Sequence, residues 1–166
     1  MSLGLEKAIA DYVSTTLPSV RAGTYGLYTE AAAADRIVYV GEIPPVLPNA
    51  DELGLPSLTI TVQSDGGPPP DGLLREDVTL NVVVRDKDFE TALEVQRAIF
   101  TLLHENGGGG NGANAFANGR YNGIRVRRIT ADFQPIRLGR DQQGANGRFV
   151  SSQGYTVSAV GGYAFT

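Results

Sequence analysis

Residues 77–104 read DVTLNVVVRDKDFETALEVQRAIFTLLH, and this stretch decides the fold. Its first half alternates. Val78, Leu80, Val82 and Val84 share one parity, while Thr79, Asn81 and Arg85 share the other. A period of two is the mark of a half-buried strand. The second half turns to helical spacing: Phe89, Leu93, Ile99, Phe100 and Leu103 form a broad apolar stripe that faces the core and ends at His104. Between the halves lies Asp86-Lys87-Asp88. Asp88 is placed to be the N-cap, because its carboxylate can accept a first-turn N–H that has no helical partner. Glu90 suits the positive end of the helix dipole. Asn106-Gly107 is an ordinary stop.

Working upstream, Leu58, Ile60 and Val62 alternate with Thr59, Thr61 and Gln63. This second half-buried strand should pair with the first as a hairpin across a loop at 64–72, which contains Gly66-Gly67-Pro68-Pro69-Pro70. The segment 43–56 holds four prolines and cannot join a central strand. Residues 36–42, with Ile37, Val38, Tyr39 and Val40, read as a strand buried on both faces. Leu5, Ile9, Val13 and Leu17 recur every four residues, which predicts a helix that Pro18 ends.

Working downstream, residues 106–119 are rich in Gly and Asn and keep no period, so a flexible loop is expected, with Phe116 its one candidate anchor to a partner. Residues 121–133 are a strand whose apolar parity slips at Arg127-Arg128, the signature of a β-bulge. That parity puts Phe133 inward. Residues 139–147 read as a polar turn. Residues 149–165 close the chain as a strand, with Tyr155, Val157, Ala159, Tyr163 and Phe165 on one parity. The order α-β-β-β-α-β-β predicts an α+β fold: one domain over 1–166, a mostly antiparallel sheet and two helices on one face.

Composition narrows the chemistry. The 166 residues include no cysteine and one histidine, His104. Thiolate metal sites, disulfides, cysteine nucleophiles and His-pair metal sites are therefore excluded. No apolar run reaches the ~20 residues of a membrane helix. Residues 1–17 carry Glu6 and Asp11 without a basic stretch, so no secretory signal is expected and the chain should be made and kept in the cytoplasm of its cell. Charge is uneven: residues 1–118 carry seven basic and sixteen acidic side chains, while 119–166 carry seven arginines against Asp132 and Asp141 alone.

Several motifs have both a chemical and a plainer reading. The Gly107–Gly110 run follows a helix and lacks the lysine of a phosphate loop, so it reads as a loop. Asp86, Asp88 and Glu90 could be metal carboxylates, but a helix start selects acids for capping alone. His104, in a last helical turn, has no serine placed with it by any pattern. The arginines of 119–166, interleaved with Tyr121, Phe133 and Phe149, could form a single-strand-binding face, although an arginine-rich protein interface suits an acidic chain better. No catalytic site, metal or cofactor is expected.

Several local pieces occur in a familiar order. Leu58-Thr59-Ile60-Thr61-Val62 leads to Asp65-Gly66-Gly67-Pro68-Pro69-Pro70. Val78 to Arg85 runs into Asp86-Lys87-Asp88-Phe89-Glu90 and a helix ending Ala98-Ile99-Phe100-Thr101-Leu102-Leu103-His104. Then come Asn122-Gly123-Ile124, Gln134-Pro135-Ile136-Arg137-Leu138-Gly139-Arg140-Asp141 and the strand Phe149 to Val157. Over about two thirds of the chain this resembles the tail terminator proteins of long-tailed bacteriophages, also called minor capsid or tail completion proteins. The resemblance implies an α+β subunit in a homo-oligomeric ring, usually a hexamer, at the head–tail junction of the virion. Such a ring caps the tail tube, stops its polymerisation, docks head-completion or neck proteins and lets DNA pass through its lumen. The Pro-rich 43–56 and the long 106–119 depart from the family pattern. A head-closure or neck protein is the alternative, and a nucleic-acid-binding domain a more distant one.

A cyclic ring joins two different surfaces, and opposite charge lets them attract each other while repelling themselves. The expected contact runs from Arg125, Arg127, Arg137 and Arg140 to Asp77, Asp86 and Asp88 of the neighbour. Capping competes for the last two.

Overall fold

The computed structural model describes residues 3–17, 25–26, 37–41, 58–66, 75–104, 125–140 and 147–160. The elements are α1 (Leu3–Thr16), β1 (Tyr25–Gly26), β2 (Val38–Val40), β3 (Thr59–Gly66), β4 (Arg75–Asp86), α2 (Phe89–Leu103), β5 (Arg125–Ala131), β6 (Ile136–Arg140) and β7 (Phe149–Val160). The fold is α+β, as the patterns predict. The sheet order is β1-β2-β3-β4-β7-β5, with β6 also pairing on β7.

The β3–β4 hairpin pairing is antiparallel, with Ile60 opposite Val84 and Val62 opposite Val82. β4 and β7 pair over their whole lengths without a slip, from Arg75 opposite Val160 to Asp86 opposite Phe149. These partners share faces, so one parity of each strand enters the core. Ile60, Val62, Val78, Leu80, Val82, Val84, Tyr155 and Val157 are buried there with Val38 and Ile129. Ile9, Val13 and Leu17 after α1, and Ala92, Val95, Ile99 and Leu103 of α2, cover that same face. Both helices thus lie on one side.

The sheet is mostly antiparallel, as expected, with β1–β2 and β2–β3 the parallel pairs at its β1 end. Three expectations need correction. Residues 64–66, expected to begin a loop, continue β3; a register shift between Ser64 and Gly66 lets the strand run on after its alternation has ended. Ile136–Arg140, whose end was assigned to a polar turn, is strand β6. Phe133 points away from the core and is 44 % exposed, because β5 ends at Ala131 and parity lapses two residues before it. The bulge foreseen at Arg127-Arg128 is present: Val126 faces Ala159, Arg128 faces Ser158, and Arg127 is the extra residue.

Buried polar groups tie the layers together. Gln96 of α2 is fully buried and donates from Nε2 to the carbonyls of Val82 (2.8 Å) and Ser151 (3.0 Å), pinning the helix across β4 and β7. Glu6 is buried despite lying off the α1 stripe. β2 accompanies β3 only to Val62, and beyond that point the Glu6 carboxylate accepts the N–H of Ser64. Burial pushes the Glu6 carboxyl above its ordinary value, against the opposing pull of that bond. The loops at 43–56 and 106–119, with Phe116, fall outside the described residues.

Candidate subunit interface

The described residues contain no group of three or more His, Cys, Asp or Glu that could hold a metal ion. None of their helices is long and apolar enough to cross a membrane. The chemistry concentrated in the sheet is a corner of stacked rings and guanidinium groups.

That corner follows from register. β6 and β5 lie in succession along the same edge of β7, β6 against residues 149–152 and β5 against 155–160. Arg140 lies opposite Phe149, and Phe149 opposite Asp86, so three neighbouring strands set these residues in one row. α2 begins just after Asp86 and brings Phe89 over the row. Phe89 and Phe149 meet edge to face at 5.7 Å between centroids. Arg137 lies 4.9 Å from the Phe89 ring and Arg140 lies 4.6 Å from the Phe149 ring. Each guanidinium gains from the negative ring face while staying in water.

The acids expected as acceptors serve the start of α2. Asp86 is buried and accepts the N–H of Asp88 at 2.7 Å. Asp88 is the N-cap and accepts from the Thr91 N–H (3.1 Å) and hydroxyl (2.7 Å). Those bonds hold its carboxyl below the usual range. Asp77 is half-buried on β4 opposite Ser158. Arg125 and Arg127 are on β5, beside the other half of β7 from Arg137 and Arg140. The structure therefore gathers Arg137, Arg140 and Asp86 at one corner, and sets Arg125 and Arg127 further along the edge.

Pattern reading overlooks the features that give the corner its shape. β6 carries its own bulge: Arg137 faces Ser151 and Gly139 faces Val150, leaving Leu138 as the extra residue. Gly139 has φ +88°, a conformation glycine adopts without strain. Leu138 is 59 % exposed and Ile136 is 44 % exposed. Leu93, expected in the core, is half-buried on the outside of α2, where it shares a groove with Phe89, Glu90, Glu94 and Arg97. The available signal was the charge spacing, with Arg137 and Arg140 three apart and Glu90 and Glu94 four apart.

His104 has a structural place. It caps α2, stacks on Phe100 at 5.1 Å, and its Nδ1 accepts the N–H of Ala131 at 3.0 Å, tying α2 to β5. No protein-family model matches the chain, and no curated protein matches it in sequence.

Proposed function

We propose that the protein is a ring-forming virion component of the tail terminator kind, which caps the head-proximal end of a phage tail tube and presents a docking surface to the neck. In this reading the chain acts by binding and not by catalysis. Its partners are further copies of itself, the tube protein and a head-completion or neck protein, with DNA passing through the lumen. The order of strand, capped helix and the Leu138-Gly139-Arg140-Asp141 sequence supports the family reading. The single structural observation that carries the binding role is the edge at 133–140. Three large apolar side chains are exposed there, beside arginines already stacked in place. Large apolar side chains clustered in one short edge segment suit a protein contact.

Negative-stain images of the purified protein test this. Rings with a central hole, which bind the ends of tail tubes and halt their growth, are the expected result. Binding to portal-side proteins without binding to tubes would move the assignment to a head-closure or neck protein. A monomer that binds neither would overturn it. Retention of single-stranded DNA with a steep salt dependence and no assembly would favour the nucleic-acid reading.

A further inference from the structure

We propose that the β6 tip of one copy docks on the outer groove of α2 of a second copy, Leu138 entering between Phe89 and Leu93 while Arg137 and Arg140 meet Glu90 and Glu94. This rests on the self-assembly reading above and assigns its surfaces.

The donor side is built for insertion. Among the described residues, the exposed large apolar side chains are Phe133, Ile136 and Leu138, all within six positions. Among the described strands β6 pairs with β7 alone, yet its bulge makes it a poor template for adding another strand. The bulge instead turns one side chain, Leu138, out of the ladder. The contact is therefore made by side chains. Phe133 belongs to the same edge but is already engaged: its ring lies 3.2 Å from where a Cβ on Gly154 would stand. The flanking arginines are preset, because stacking on Phe89 and Phe149 uses the guanidinium faces and leaves the N–H edges to reach carboxylates. Side chains already held lose less freedom on binding.

The acceptor side has the matching form. The groove on α2 has a volume of about 480 Å³, an apolar floor from Phe89 and Leu93, and an acidic rim from Glu90 and Glu94. Glu90 and Glu94 stand one helical turn apart, about 6 Å, on one side of α2. Arg97 lies a further turn away and opposes the β6 arginines, and the acceptor's own Arg137 stands over its Phe89 ring, so docking belongs along Leu93 between Glu90 and Glu94, with only the groove side of Phe89 in contact.

The occupant follows from charge. Residues 1–118 carry a net of −9 and residues 119–166 a net of +5, so the chain supplies both halves of the pair. Within one copy Leu138 remains 59 % exposed, so it does not fill its own groove. A second copy brings the two halves together.

The experiment compares self-association of wild type, Leu138→Asp, Arg137→Glu/Arg140→Glu, Glu90→Arg/Glu94→Arg and the four-fold reversal, by sedimentation velocity and by imaging. Leu138→Asp and either charge reversal should weaken self-association ~30-fold or more, as loss of a central contact does. The four-fold reversal should recover at least ~10-fold of the loss. Reversing the arginines also removes their stacking, so Leu138→Asp, which breaks no described contact within the subunit, is the decisive variant. Its melting temperature should equal that of wild type. If wild type forms rings and every variant does too, the corner is not the contact, while the ring reading stands. If Leu138→Asp weakens a wild-type pair that never closes into rings, the contact stands and the ring reading fails. Loss of DNA or of another protein in Leu138→Asp, with self-association intact, would overturn the assignment of a second copy.

Discussion

Leu93 and Ile99 lie on one helix but on different faces of it, so they should behave oppositely when truncated. Ile99 is fully buried against the sheet, and Leu103 is 1 % exposed. Ile99→Ala deletes the equivalent of three methylenes, worth about 2.4 kcal/mol at about 0.8 each. The cavity left between α2 and a packed sheet raises the cost to about 3–4 kcal/mol. With a urea dependence of roughly 1–3 kcal/mol per molar, the midpoint should fall by roughly 1–4 M. Leu103→Ala should behave alike. Leu93 is half-buried on the outer groove, so Leu93→Ala leaves no enclosed void and should cost about 1 kcal/mol or less. Urea titrations followed by circular dichroism give all three values. The reasoning fails if Leu93→Ala costs as much as Ile99→Ala, or if Ile99→Ala costs under about 1 kcal/mol, since either result would mean that α2 presents a different face to the sheet.

Glu6→Gln should be at least as stable as wild type at pH 7, because Gln keeps an acceptor for the Ser64 N–H and removes a buried charge. The folded-state pKa of Glu6 is raised above 4.5, so its contribution favours the fold at low pH and is lost as pH rises through the raised value; the Gln advantage should vanish by pH 4, and a variant weaker at pH 7 than at pH 4 relative to wild type would refute this. Gly139→Ala should cost about 1–2 kcal/mol from its positive φ alone, since no atom lies within 4 Å of the added Cβ; an unchanged melting temperature would show that the β6 bulge does not need that conformation. His104→Ala leaves the Ala131 N–H without its acceptor and should cost about 1–3 kcal/mol, with faster amide exchange at Ala131 as the local readout.

Legibility in the sequence tracked burial. β3, β4 and β7 alternate because the face that meets the helices takes apolar side chains, although Thr59, Thr61 and Ser152 are buried too, and the α2 boundary shows because Asp88 is a chemically specific cap. Even the β5 bulge was visible, since Ile129 and Ala131 must return to the core side after the extra residue. β1 left no trace: two residues paired with one neighbour need no pattern. Its parallel pairing, and that of β2 with β3, depends on how connections cross, which local periodicity does not encode. Leu93 was misplaced because an apolar residue at helical spacing fits either a core stripe or the wall of a groove. For the site, Arg137 and Arg140 were legible as charge, but their partners Phe89 and Phe149 come from α2 and β7, and only the sheet register brings the four together.

The failure at β6 has a physical cause that bears on its role. Alternation is imposed on a strand by a core that accepts one parity and rejects the other. In β6 the bulge at Leu138 sends Arg137 and Arg140, three residues apart, to rings above the sheet, while Ile136 and Leu138 remain in water. The subunit's own rings account for the two arginines, while Ile136 and Leu138 stay exposed beside them. Glutamine or lysine at 136 and 138 would suit an exposed edge better, since charge on an edge also guards against unwanted pairing. Leucine and isoleucine there raise the apolar surface without adding to the core. On the proposed contact they gain a function: a second copy provides the buried side that the strand lacks. The same argument explains why Leu93 faces outward on α2 beside two glutamates. Each is an apolar residue left partly exposed in its own subunit, and each stands next to charge of the sign the other needs.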